Sequence, residues 1–182
     1  MTTKPREIID FWRRAGPKAW FKKNAAFDAQ VHERFEAAHH AAARGELDGW
    51  AAAAEGSLAL LLLLDQFPRN LYRRSAHAFA TDPLARSVAR AAIAAGHDTA
   101  TAPALRGFFY LPFEHSEDPA DQALAVNLCE ALERAGGQSA QWARDHHDII
   151  ARFGRFPHRN ACLGRATTDD ERAFLDEGGF AG

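Results

Sequence analysis

The sequence has little from which to build a sheet. Val, Ile and Thr together supply 15 of its 182 residues, and strands are enriched in these β-branched side chains, so a large sheet is excluded. Cysteine is nearly absent. Cys129 and Cys162 are too few for a disulfide framework, and neither stands in a Cys-x-x-Cys motif. Lysine stops at Lys23, and the 22 Lys and Arg nearly cancel the 24 Asp and Glu to a formal charge of −2. That removes the footprint of a general nucleic-acid binder. The longest apolar run, residues 58–64, has seven residues against the roughly 20 that cross a bilayer. Met1-Thr2-Thr3-Lys4-Pro5 opens with no apolar leader. The expectation is a cytoplasmic protein with neither nucleic acid nor membrane as partner.

Catalytic signatures are missing as well. The chain has no His-Glu-x-x-His, no Gly-x-x-x-x-Gly-Lys phosphate loop, no Gly-x-Gly-x-x-Gly and no Gly-x-Ser-x-Gly elbow. A single Glu-x-x-His, Glu36 to His39, lacks the second copy that a di-iron bundle requires. His39 and His40 are therefore read as decorating a solvated helix face. No metal and no cofactor are expected.

What is abundant is alanine, 39 residues of it, and with leucine it favours helices. Helical spacing runs through the chain. Ile8, Ile9, Phe11 and Trp12 form one stripe, and Phe27, Val31, Phe35 and Ala38 form a second behind the expected N-cap Asn24. Residues 58–67 are apolar nearly all round and predict a buried central helix. Asp82-Pro83 and Asp118-Pro119 have the form of an N-cap followed by proline at the first helical position. Trp142, His146, Ile149 and Phe153 predict a further inward stripe, and Thr168-Asp169-Asp170-Glu171 is a capping box. The reading is an all-α fold of seven to nine helices in a single domain, residues 1–182. Stacked antiparallel helix pairs in a tetratricopeptide-like bundle suit it, although no strict 34-residue repeat is visible.

Three constellations stand out against the Ala and Leu background. Asp65-Gln66-Phe67-Pro68-Arg69-Asn70 and Arg155-Phe156-Pro157-His158-Arg159-Asn160 each bring a helix to Phe-Pro and then to Arg-Asn. A proline interrupts the hydrogen-bonded ladder, and the Arg fork beyond it suits a carboxylate or phosphate. Alternatively, these polar groups satisfy carbonyls that the proline frees. Phe113-Glu114-His115-Ser116-Glu117-Asp118 offers Glu114 and His115 as candidates for acid/base chemistry. His146 faces inward on its helix, as a core histidine or as part of a pocket with His115.

The ordered blocks resemble those of a known family. They are Ile9-x-Phe11-Trp12, Trp20-Phe21, Phe27-Asp28, Asp65-Gln66-Phe67-Pro68-Arg69-Asn70, Ala80-Thr81-Asp82, Leu111-Pro112-Phe113-Glu114-His115-Ser116-Glu117 and Phe156-Pro157-His158-Arg159-Asn160-x-x-Leu163-Gly164-Arg165. Together they resemble the bacterial family catalogued as domain of unknown function 924, over roughly residues 6–176. The resemblance implies an all-helical, tetratricopeptide-like fold and carries over no activity, cofactor or catalytic residue. The residues themselves suggest a pocket for a small polar or anionic ligand. It would be lined by Asp65, Arg69, Asn70, Glu114, His115, His146, His158, Arg159 and Asn160. The alternatives are a tetratricopeptide-like module that binds a partner peptide without catalysis, and a purely architectural role for the motifs.

Overall fold

A computed structural model describes residues 3–182, and among them there is no strand. Seven α-helices have eight residues or more: α1 (Pro5–Ala15), α3 (Ala25–Ala43), α4 (Ala54–Leu61), α6 (Asp82–Ala94), α9 (Pro119–Arg134), α10 (Gln141–Phe153) and α11 (Asp169–Asp176). Four are single turns: α2 (Pro17–Trp20), α5 (Phe67–Leu71), α7 (Pro103–Arg106) and α8 (Leu111–Glu114). No helix among the described residues is long and apolar enough to cross a membrane. The chain falls into two compact units: one runs up to Arg73 and includes His77–Pro112, and the other comprises Arg74–Ala76 with Phe113–Gly182.

In the first unit α4 is the axis, packed by α1 and α6, while α3 packs against α5. Leu58, Leu60, Leu61, Leu62, Leu63 and Leu64 are all buried, as an all-apolar helix must be. An aromatic cluster fills the space between α1, α3 and α5. Phe11 stacks on Phe27 with ring centroids 5.3 Å apart, and Trp12 stacks on Trp20 at 6.0 Å. Trp20 Nε1 also donates to the Trp12 carbonyl at 2.7 Å. Asn24 caps α3 as expected, its Oδ1 accepting from the N–H groups of Ala26 (3.0 Å) and Phe27 (3.1 Å). Gly56 is required for close approach, because a Cβ there would lie 2.0 Å from the Trp50 carbonyl oxygen.

The expected helix over residues 58–67 does not stop at Pro68. It passes through one turn of π-helix, Leu62–Gln66, directly into α5. The wider turn accommodates the proline, but Pro68 has no N–H to offer the carbonyls one turn back. Other side chains take up the freed acceptors. His39 Nδ1 donates to the Leu63 carbonyl at 2.8 Å, and Thr81 Oγ1 donates to the Leu64 carbonyl at 2.6 Å. His39 is thus 4% exposed rather than on a solvated face, while its neighbour His40, about 100° round the helix, is exposed. Burial holds the His39 pKa below the ordinary histidine value, against the opposing pull of the Leu63 carbonyl.

In the second unit α9 packs against α10, and α11 packs on the short turn Pro157–Arg159. Asp118 caps α9 by accepting from the Ala120 N–H at 2.8 Å, and Thr168 with Glu171 forms the expected capping box on α11. Ile149, Ile150 and Phe156 are the buried core, with Phe153, Phe174 and Phe180 packed around them. Trp142 departs from the expected stripe, since its indole is 61% exposed. The buried residues of α10 are Ala143, His146, Ile149 and Ile150, so the inward stripe keeps His146 and Ile149 and replaces Trp142 and Phe153 with Ala143 and Ile150.

Candidate functional site

The two Phe-Pro motifs are used in opposite ways. In the first unit, Arg69 lies among carboxylates. Nη1 donates to Asp82 Oδ1 at 3.0 Å and Nη2 to Asp82 Oδ2 at 3.1 Å. Nη1 also lies 3.3 Å from Asp65 Oδ1 and donates to the Asp65 carbonyl. Gln66 Nε2 donates to Asp65 Oδ2. Burial works against the guanidinium charge, but the two carboxylates more than offset it and raise the Arg69 pKa. Asp82 was expected to cap α6. Instead Thr81 is the N-cap residue, and the Asp82 carboxylate turns to Arg69. Asn70 Nδ2 donates to Asp28 Oδ1 at 2.8 Å, and Arg73 clamps the same carboxylate through Nε (2.5 Å) and Nη2 (2.8 Å). Asp65, Arg69 and Asn70 are thereby engaged in bonds that tie α3, α5 and α6 together.

In the second unit, Arg155 makes the carboxylate fork instead. Its Nε and Nη2 donate to Glu171 at 2.6 and 2.9 Å. That fork, helped by the Thr168 N–H and opposed by burial, holds the Glu171 pKa down at about 2. Asn160 Nδ2 donates to the same carboxylate at 3.1 Å. Arg165 forks onto Glu117 at 2.7 and 3.0 Å, and the Phe156 N–H also donates to Glu117 at 2.8 Å. Burial raises the Glu117 pKa, but these donors outweigh it and leave the carboxyl below its usual range. With these bonds the loop after α10 is pinned from both ends.

The pinned loop carries Phe156, His158 and Arg159 toward α10. The Arg159 guanidinium lies over the Phe156 ring, 4.6 Å from its centroid. The Phe156 ring is 5.4 Å from His146 and 5.6 Å from His158. On the other side Phe180 stands edge-on to both imidazoles, at 4.5 Å from His146 and 5.0 Å from His158. His115 meets His146 at 6.4 Å. Glu114, His146 and Arg159 are buried, and His115 and His158 are half-buried.

Glu114 was expected to work with His115 in acid/base chemistry, and its carboxylate also meets His146. Oε1 of Glu114 is 3.1 Å from His146 Nδ1, with both side chains 7% exposed. Gln122 shapes the turn between α8 and α9 by donating to the backbone carbonyls of Glu114 (2.7 Å) and Ser116 (2.6 Å). His146 Nδ1 is also 2.7 Å from the Trp142 carbonyl. A carbonyl only accepts, so Nδ1 carries a hydrogen, and the tautomer this selects has its lone pair on Nε2. The Trp142 carbonyl lies four residues back in α10, where it already serves the helical ladder. His146 is therefore not required to satisfy it, in contrast to His39 at Leu63.

The sequence reading did not identify Phe156 and Phe180 as the walls of this cluster. For Phe180 the available signal was an aromatic residue placed just after Gly178-Gly179, beyond the last helix. Cys129 and Cys162 are free, and each is half-buried. Burial, with Glu114 and Glu133 nearby, pushes the Cys129 thiol up to about 12, so it is not a nucleophile near neutral pH. Among the described residues no group of three or more His, Cys, Asp or Glu could hold a metal ion.

Comparison with known proteins places this geometry in context. A family model described as "Bacterial protein of unknown function (DUF924)" matches residues 8–179. A solved structure, the protein of unknown function ATU0120 from Agrobacterium tumefaciens, is 57% identical with a TM-score of 0.91. The match covers 96% of this chain and 97% of that one. No curated protein matches the chain.

Proposed function

The chain belongs to the bacterial DUF924 family, and from that premise and the geometry above we propose that its second unit binds a small polar or anionic ligand. The proposed ligand residues are Glu114, His115, His146, His158 and Arg159. In this reading Asp65, Arg69, Asn70 and Asn160 belong to the frame.

The observation that carries the reading is the buried pair of Glu114 and His146, 3.1 Å apart. Burying such a pair costs desolvation, and apolar residues of the same volume would stabilise a core at least as well. The Nδ1–H orientation leaves Nε2 as a proton acceptor, with a carboxylate behind the ring to support the charge that forms there. That is the arrangement of a general base and its orienting group. Arg159, over the Phe156 ring, brings a positive charge of the kind that suits a carboxylate or phosphate. Together the groups suit a compact anion that also exchanges a proton.

Inorganic phosphate and succinate are the probes. Thermal unfolding of the wild type, read at increasing probe concentration and constant ionic strength, is expected to rise in the manner of ligand linkage with at least one of them. Arg159→Gln is expected to weaken the effect at least tenfold, while Arg73→Gln leaves it intact. A wild type indifferent to both anions overturns the reading.

A further inference from the structure

A groove runs along α10 that shares Phe180 with the cluster around His146 but has charged groups of its own. We propose that this groove binds a small organic cation, an alkylated ammonium or guanidinium group on an apolar body. Trp142, Phe153, Phe174 and Phe180 line a groove of about 580 Å³ floored by Ile149, a volume within the range of small-molecule sites. Trp142 and Phe180 form one aromatic pair, with centroids 6.2 Å apart, and Phe153 and Phe174 form another at 5.2 Å. Asp145 and Asp148 join them in the lining, three and six residues after Trp142 on the same helix.

Two features assign the charge of the occupant. The first is the behaviour of Arg152. It lies four residues after Asp148, at ion-pair spacing, yet its guanidinium sits over the rings of Phe153 (4.6 Å) and Phe174 (5.8 Å). The ring faces of this groove thus already hold one cation of the chain itself, as the electron-rich face of an aromatic ring does. The second is the state of the carboxylates. Asp145 Oδ1 accepts from Gln141 Nε2 at 2.7 Å, and Asp148 Oδ1 lies 3.3 Å from His147 Nδ1. Among the described residues neither is within ion-pair distance of an arginine or lysine. Two carboxylates against one guanidinium leave the groove net negative, and the exposed indole of Trp142 adds a further face.

The structure therefore casts Arg152 as an internal competitor. It takes the faces of Phe153 and Phe174 and repels a second cation. Removing it frees both rings and deepens the negative potential, so binding of a cation becomes tighter. An anion would respond in the opposite direction, and an uncharged apolar ligand would not depend on the carboxylates.

Benzyltrimethylammonium, benzyl alcohol and benzoate, at matched ionic strength, distinguish these cases. The readout is the NMR signal of the Trp142 indole N–H, assigned by its loss in Trp142→Phe. Saturable movement at millimolar benzyltrimethylammonium is expected, with none at the same concentration of the other two. Arg152→Ala is expected to tighten binding about fivefold, and Asp145→Asn with Asp148→Asn to weaken it about fivefold, in keeping with surface cation–π and charge interactions. Equal response to benzyl alcohol, preferential response to benzoate, weaker cation binding in Arg152→Ala, or no response at all each overturns the proposal. The outcome is independent of the phosphate and succinate assay above, so either reading can fail alone.

Discussion

Arg69 and Arg159 stand in nearly the same words, Phe-Pro-Arg-Asn and Phe-Pro-His-Arg-Asn, and their surroundings differ. Arg69 is gripped by Asp82 at 3.0 and 3.1 Å with Asp65 beside it. Arg159 lies over the Phe156 ring, and Arg155 and Arg165 fork onto the nearby carboxylates of Glu171 and Glu117, the second of which also feels the charge of Arg159. The two inward histidines show the same contrast. His39 satisfies a carbonyl that Pro68 deprives of its donor, and His146 bonds a carbonyl that its helix already serves. The first region therefore uses its polar groups as frame, and in the second the frame is built by neighbours that leave Glu114, His146 and Arg159 clustered. A motif acquires its role from the charges that face it, which lie far away in sequence.

Several substitutions press on this contrast. The largest effect is expected for Asp82→Ala. It leaves the half-buried Arg69 with one carboxylate fewer, and loss of one partner of a buried pair costs about 3–5 kcal/mol, the upper bound here, to be read by denaturant unfolding. Glu171→Gln follows at about 2–3 kcal/mol, because it removes the charge that the Arg155 fork holds, while the amide oxygen keeps the capping box. Its sign with pH is definite. The Glu171 carboxyl is held at about 2 against an ordinary 4.5, so its contribution is complete above 4.5 and is lost as pH falls toward 2. Wild-type stability should decline across that window, and the Gln variant should decline less. His39→Phe strands the Leu63 carbonyl and is expected to lose about 2 kcal/mol. It should also remove a loss of stability that begins below pH 6.5, where the unfolded chain binds a proton that the folded His39 resists. Thr81→Val removes the donor to Leu64 and is expected to cost about 1 kcal/mol. Arg159→Gln should be the mildest, at under about 1 kcal/mol for an arginine kept for a ligand; a loss as large as that of Asp82→Ala would erase the contrast.

Local features were legible in the sequence because they depend on residues within one turn. The caps at Asn24, Asp118 and Thr168 all form as their spacing indicates. What was not legible depends on distant partners. Asp82 reads as a cap until Arg69, 13 residues away, claims its carboxylate. His39 reads as solvated until the π-turn before Pro68 frees a carbonyl 24 residues on. Glu114 reads as the partner of adjacent His115, yet the turn that Gln122 shapes sets it beside His146. Both residues were named as candidates, and only their pairing was hidden.

The central claim is that the histidine of the second unit serves a ligand and that of the first serves the fold. One measurement observes both: the side-chain nitrogen NMR spectrum of the histidines, recorded at neutral pH while phosphate or succinate is added. The Nδ1–H form is expected for His146, with its Nε2 signal moving saturably, while His39 stays fixed as an internal reference. A stationary His146, or the two rings moving together, would contradict it.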